Sequence, residues 1–154
     1  MRTYFFWALM TCFLLAGQSG SVISNAADRA KPGKNEQVVR SFYEAAINQK
    51  DFEAASKYLG PKYIQHNPTA ADGVDGLRNF IQSLRDKLPN YHSRIVRAFS
   101  DGDFVILHVH NQREPNTRGF AIIDIFRLQN GKIVEHWDVR QEIPEAAANT
   151  NGMF

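Results

Sequence analysis

An α+β domain, with helices packed on one face of an antiparallel sheet, is the fold that the sequence predicts. Two observations carry this. Up to Pro89 the apolar residues recur every three to four positions, and beyond it they recur every two. The second is size: 154 residues, 44% hydrophobic and 22% charged, make one domain with a real core and leave little room for another. This composition excludes a disordered chain, a coiled coil and a collagen-like repeat. A formal net charge of +2 implies no nucleic-acid partner.

The first element is one to be removed. Met1-Arg2-Thr3 carries one positive charge, Tyr4 to Ala16 is an apolar run too short to span a bilayer stably, and Ser24-Asn25-Ala26 offers small side chains where a signal peptidase inspects them. Residues 1–26 therefore read as a secretory signal cleaved near Ala26, the alternative being an uncleaved membrane anchor. A secreted or periplasmic protein, free of the membrane after cleavage, is expected. Cys12, the one cysteine of the sequence, lies in the apolar run, so a cleaved chain carries no disulfide or thiol chemistry. Residues 27–34 read as a flexible lead-in and 35–154 as the folded domain.

Within that domain, Val38, Val39, Phe42, Ala46 and Ile47 form the buried stripe of a helix over Asn35 to Lys50, with Asn35 as N-cap. Asp51 caps a second, short helix from Phe52 to Leu59, which Gly60-Pro61 stops. Tyr63 to Asp75, with Pro68, Gly73 and several small polar residues, reads as a structured loop. A third helix covers about Val74 to Leu88, with Leu77, Phe80, Ile81, Leu84 and Leu88 on one face. Four strands follow: Tyr91 to Phe99, Phe104 to Asn111, Arg118 to Leu128 and Lys132 to Gln141.

The last hairpin admits two registers. A two-residue Asn-Gly turn pairs Leu128 with Ile133 and sets Asp124 beside Trp137, whereas a type I turn with Gly131 as a G1 bulge pairs Leu128 with Lys132. The bulged register is favoured because it lets Arg127 pair with Glu135. It gathers Ile122, Asp124, Phe126, Val134, His136 and Asp138 on one face. Ile123, Ile125, Arg127, Ile133, Glu135 and Trp137 share the other. Three helices cover only one of these faces, so a homodimer burying Trp137, Ile123 and Ile125 through the outer sheet face is expected.

Several stretches, taken in order, carry a family resemblance. They are Tyr63-Ile64-Gln65-His66-Asn67-Pro68 after the second helix, Gly102-Asp103-Phe104-Val105 opening a strand, Asp124-Ile125-Phe126-Arg127, and Asn130-Gly131-Lys132-Ile133-Val134-Glu135-His136-Trp137-Asp138. Together they resemble the SnoaL-like (polyketide cyclase-like) branch of the nuclear transport factor 2-like superfamily, from about Asn35 to Phe154. The resemblance implies a cone-shaped α+β barrel: a strongly curved sheet around three helices, with a deep, mostly apolar pocket open at one end. The superfamily includes polyketide cyclases, ketosteroid isomerases, epoxide hydrolases and binding domains, so fold alone does not choose among them. In the cyclases it resembles, an acidic residue of the last strand is the general acid/base, which matches Asp138. A histidine commonly stands where this chain has Asp124.

Asp138 and Asp124 are the leading catalytic candidates. Two carboxylates in an apolar pocket raise one another's proton affinity, so one can donate to an enolate oxygen while the other removes a carbon-bound proton. Alternatively, either accepts hydrogen bonds from Arg118, Arg140 or backbone amides. His66 is a third catalytic candidate, and Asn67 a substrate-binding one, in a loop that Pro68 stiffens; His66 as a cap or backbone partner is the plainer reading. Tyr63, His108, His110, His136 and Phe126 complete the candidate substrate-binding set. His108 and His110 share one strand face and with His66 or Asp124 offer three ligands. No HExxH or similar spacing accompanies them, so no metal and no cofactor is expected. Met153 and Phe154 either cover the pocket mouth or the dimer seam, or fray. The expected function is cofactor-free proton-transfer or aldol-type chemistry on a small carbonyl compound, with Asp138 as base. The alternative is a non-catalytic pocket domain holding an apolar or aromatic ligand.

Overall fold

The first helix, α1 (Lys34–Tyr43), buries Val39, Phe42 and Tyr43, and it runs on into a π-helical turn over Glu44–Asn48. The computed structural model describes residues 31–154; the expected signal segment and the first part of the lead-in lie outside the described residues. The N-cap is Gly33 and not Asn35. Asn35 instead reaches across the fold, its Nδ2 donating to the Gly102 carbonyl at 3.2 Å. Asp51 does cap α2 (Phe52–Ser56), accepting from the Ala54 amide at 3.0 Å.

The next segment departs from expectation. Leu59–Gln65 is a strand, β1, and neither a helix end nor a loop. It lies parallel to the last strand, β5 (Lys132–Glu142), with Leu59 opposite Ile133 and Gln65 opposite His136. Gly60 permits the close approach, since a Cβ there would lie 2.7 Å from Val134 Cγ1. Pro61 is tolerated because β1 is an edge strand, where a missing amide leaves no ladder bond broken. Gly-Pro, which resembles a helix stop, here marks a tight edge.

The third helix, α3 (Gly73–Lys87), buries Gly76, Leu77, Ile81 and Leu84, while Phe80 is 40% exposed. Then come β2 (His92–Asp101), β3 (Phe104–Gln112) and β4 (Phe120–Gln129), which with β5 pair antiparallel. The sheet order is β1-β5-β4-β3-β2. The five strands curve round the three helices without closing. Val105, Leu107 and Val109 of β3 and Phe126 and Leu128 of β4 meet Val39, Phe42 and Ile81 in the core.

The closing hairpin combines features of both expected registers. Its turn has two residues, Asn130 and Gly131, both with positive φ (53° and 71°), and Leu128 pairs with Ile133. The bulge sits at Val134 instead of Gly131: beyond it Arg127 faces Glu135, Phe126 faces His136 and Asp124 faces Asp138. The cause is burial. Ile133 and Val134 are adjacent yet 0% and 6% exposed, and only an extra residue lets neighbours on one strand both turn inward. Ile133 therefore belongs to the core and not to the outer face. The remaining facial assignments stand, including the Arg127–Glu135 pair at 2.6 Å.

Candidate functional site

A cavity of about 160 Å³ lies between α1, α3 and the inner face of the sheet. Much of its wall is apolar, with Phe42, Ile47, Leu77, Phe80, Ile122 and Phe126 contributing. Its polar groups converge from β4 and β5, where Asp124, His136, Asp138 and Arg140 alternate with outward residues. Tyr43, Tyr63, Gln65, Asn67 and Tyr91 complete the polar lining.

Asp124 is 5% exposed. Its Oδ2 accepts from the Tyr43 hydroxyl at 3.1 Å, and its Oδ1 lies 3.1 Å from His136 Nε2. Burial raises its pKa above the ordinary value of 3.8; the hydrogen bond and charge of His136 and the Tyr43 hydroxyl oppose the rise, while Asp138 adds to it. The Tyr43 hydroxyl, fully enclosed beside this carboxyl, is driven well above its usual range, again chiefly by burial. It remains a donor at any working pH.

Gln65 fixes the state of the histidine. Its Oε1 accepts the Asn67 backbone N–H at 2.9 Å and lies 3.0 Å from His136 Nδ1, while its Nε2 donates to the Tyr63 hydroxyl at 3.3 Å. An amide oxygen only accepts, so His136 Nδ1 carries a hydrogen and donates it. Two lone pairs cannot face one another across the Asp124–His136 contact. One further proton therefore lies between Oδ1 and Nε2.

Asp138 is held differently. Asn67 Nδ2 stands 2.8 and 2.9 Å from its two oxygens. The Asn67 Oδ1 accepts from the Thr69 amide and hydroxyl at 2.8 and 2.7 Å, which settles the orientation of the amide. Arginines do not neutralise the acids. Arg118 pairs with Glu145 at 3.5 Å, and the Arg140 guanidinium lies over the Phe120 ring at 4.1 Å.

Of the residues expected at the site, Asp124, Asp138, Tyr63, Asn67, His136 and Phe126 line the cavity. Three do not. His66 is turned to the outer face, stacked on Trp137 (ring centres 4.6 Å, planes 2° apart) with Nε2 2.8 Å from Glu135 Oε1. Alternation along β1 requires this: with Tyr63 and Gln65 inward, His66 points out. His108 and His110 alternate with buried Leu107 and Val109 and so also face outward. His108 Nδ1 meets Arg97 at 2.8 Å, and His110 Nε2 donates to the Arg118 carbonyl at 2.8 Å. Phe154 packs on both imidazoles at 5.2 and 4.7 Å, so the chain end covers these histidines and not the pocket mouth. Among the described residues no group of three or more His, Cys, Asp or Glu is arranged to hold a metal.

Sequence reasoning missed Tyr43, Gln65 and Tyr91, and it named Arg140 only as a partner of the acids and not as a lining residue. Two of the four carried a signal. Arg140 is two residues beyond Asp138 on one strand, and Tyr43 is four beyond Val39 on one helix.

The SnoaL-like domain family matches residues 39–136. The chain belongs to this family. No curated protein matches the sequence. Solved structures with the same fold as this SnoaL-like domain include TsrD from Streptomyces laurentii, 21% identical with a TM-score of 0.60 over 73% of this chain and 91% of that one. A candidate polyketide cyclase from Bacillus cereus is 23% identical, with a TM-score of 0.60 over 70% and 74% of the two chains. AclR, a candidate hydroxylase from Streptomyces galilaeus, is 17% identical, with a TM-score of 0.57 over 71% and 79%. At such identities the likeness is one of fold.

Proposed function

We propose that this SnoaL-like domain is a cofactor-free acid/base enzyme acting on a small carbonyl compound. One observation carries the reading: Asp124 and Asp138 face one another on neighbouring strands and line the same largely apolar cavity, yet have unlike partners. Pairs of carboxyl groups whose surroundings differ are suited to opposite proton roles.

In this mechanism the Asp138 carboxylate, aimed by Asn67, takes a proton from the carbon beside the carbonyl. The C–H electron pair becomes the new C=C bond, and the carbonyl π pair moves onto oxygen. Tyr63 accepts from Gln65, which leaves its own hydrogen to donate to that oxygen. The proton between Asp124 and His136 is available to neutralise the enolate. Return of the abstracted proton to another carbon gives isomerisation, and attack of the enolate on a second carbonyl of the same molecule gives aldol-type ring closure. The volume sets the scale: about 160 Å³ suits a ligand with one ring, since an engineered apolar cavity of ~150 Å³ takes up benzene.

The test is deuterium exchange in D2O at the carbons flanking the carbonyl of cyclohexanone and phenylacetone, each with one ring, followed by NMR. The wild-type protein should accelerate exchange over buffer. Asp138→Asn should remove at least about 10²-fold of that rate while calorimetric affinity for the ketone is retained. Binding by the wild type without exchange would leave a pocket that only holds its ligand.

The proposal includes export and self-association. Export rests on the layout of residues 1–26, and N-terminal sequencing of the protein recovered outside the cytoplasm should begin at Ala27. Self-association rests on the outer sheet face, where Phe99, Ile106, Ile125 and Trp137 form one cross-strand row. Phe104, Ile123 and Val139 on that face are 41%, 36% and 70% exposed. Light scattering at micromolar concentration should give twice the chain mass; a single-chain mass would remove the dimer.

A further inference from the structure

The exposed side of the cavity carries charge that the acid/base mechanism leaves unused. Arg140 lines the cavity two residues beyond Asp138, and its guanidinium carbon lies 4.1 Å from the centre of the Phe120 ring. Arg113 approaches the same ring at 5.4 Å. Phe120 therefore steadies two cations at one edge of the site through its ring face. Among the described residues neither guanidinium forms an ion pair. Of the acids on the neighbouring segments, Glu114 accepts from Asn90 at 2.9 Å and Glu145 pairs with Arg118, while Glu142, opposite Phe120 on the ladder and two residues beyond Arg140, forms no ion pair with either guanidinium.

Tyr91 marks the boundary between the two sets of charge. Burial raises the pKa of its hydroxyl; Arg140 and Arg113 act against that rise, and Asp124 and Asp138 act with it. Burial along the cavity wall grades in one direction, from the buried Asp124 through the half-buried Asp138 to the exposed Arg140, so the carboxyl groups lie toward its buried side and the Arg140 guanidinium toward its exposed side. An anionic group entering the cavity is repelled from the first and attracted to the second.

We propose that the ligand of this cavity is a small oxo-carboxylate, bound with its carboxylate on Arg140 and its carbonyl toward Asp124 and Asp138. This rests on the reading of the cavity as a small-molecule site and adds the class of molecule. Arg140 presents a planar fork that matches a carboxylate in two parallel hydrogen bonds. Two residues along a strand span ~6.6 Å, so the carboxylate and the carbonyl oxygen stand on the order of 6 Å apart. A six-membered ring with a ketone and a carboxylate on opposite sides comes close to that length and fits the cavity volume.

The experiment is calorimetric titration of the full protein with 4-oxocyclohexane-1-carboxylate and with its methyl ester, which has the same ring and ketone without the charge. The acid should bind at least about tenfold more tightly, as expected for a charge-assisted hydrogen-bonded pair. Arg140→Gln should bring the acid's affinity down to that of the ester measured in the same variant, and Arg140→Lys, which keeps the charge but not the fork, should retain part of the preference. Equal affinities in the wild type, no binding of either compound, or a preference that survives in Arg140→Gln would overturn the inference. A carboxylate preference without deuterium exchange beside the ketone would sustain the inference and remove the acid/base mechanism, so the two failures are distinguishable.

Discussion

Asp124 and Asp138 stand opposite one another on β4 and β5, and no hydrogen-bond partner is common to both. Asp124 lies in a hydrogen-bonded chain that runs from Tyr43 through Asp124, His136 and Gln65 to Tyr63. Asp138 has only the Asn67 amide and open cavity beside it. A group with a satisfied network and a shared proton is suited to give a proton up on demand. A carboxylate oriented by one amide and facing the ligand is suited to take one.

Asn67 is accordingly a positioning residue. Its amide grips both oxygens of Asp138 and is itself aimed by Thr69. Asn67→Ala should lower the single-turnover exchange rate by about 10²-fold, the usual consequence of a base left about an ångström out of place. Affinity for the ketone should change little. A matched loss of affinity would instead make Asn67 a binding group.

The Asp124 carboxyl predicts a pH-dependent difference in stability. Its folded pKa lies above the free value of 3.8, so the native state holds this proton more tightly than the unfolded chain does. Wild-type stability is therefore eroded as pH rises from 3.8 through the raised value, and the erosion is complete above it. Asparagine at 124 can accept from Tyr43 with its oxygen and donate to His136 Nε2 with its nitrogen, so the network survives without the titrating proton. Melting temperatures between pH 3 and 7 should show Asp124→Asn gaining on the wild type through that window and holding a constant lead beyond it. A difference that stays flat with pH would show that Asp124 carries no raised pKa.

Gln65 and His136 make a prediction that needs no substrate. With Gln65 Oε1 accepting from two directions, the hydrogen of the His136 ring should sit on Nδ1, visible as its ¹⁵N shift in long-range proton–nitrogen spectra. Gln65→Leu removes the acceptor and should release the ring to the other tautomer. An unchanged Nδ1 shift in the variant would place the control of that ring elsewhere.

How far the sequence reaches into this architecture depends on whether the signal is local. The α3 stripe, the Asp51 cap and the alternation along β3, β4 and β5 are local, and they place Asp124, Phe126, His136 and Asp138 on one inner face. Strand β1 is not local. Leu59 to Gln65 carries a Gly-Pro pair and no clean alternation, and it is extended only because β5, whose paired residues lie 71 to 74 positions later in the chain, pairs with it. Losing β1 inverts His66, because a loop histidine is free to point inward and a strand histidine beside inward Gln65 is not. His108 and His110 show a different limit: alternation assigns them together, but only the burial of Leu107 and Val109 says which face is which.

The attachment of β1 is itself open to measurement, and the site depends on it. The His66 amide donates to the His136 carbonyl and the Ile133 amide to the Tyr58 carbonyl, both at 2.9 Å, so Tyr63, Gln65 and Asn67 keep their places only while β1 stays on β5. Gly60→Ala drives a methyl group toward Val134 Cγ1 and should destabilise the fold by about 1–3 kcal/mol in urea titrations, the range for overpacking. Val134→Ala alone should cost about 1–2 kcal/mol for the apolar volume it removes. Because the second change removes the atom that the first collides with, the double variant should be more stable than the sum of the two losses implies, by on the order of 1 kcal/mol. Strict additivity would mean that β1 relaxes away from β5 without strain. In that case Gly60→Ala should still leave its trace as weaker ketone binding, through displacement of Tyr63 and Gln65 from the cavity wall.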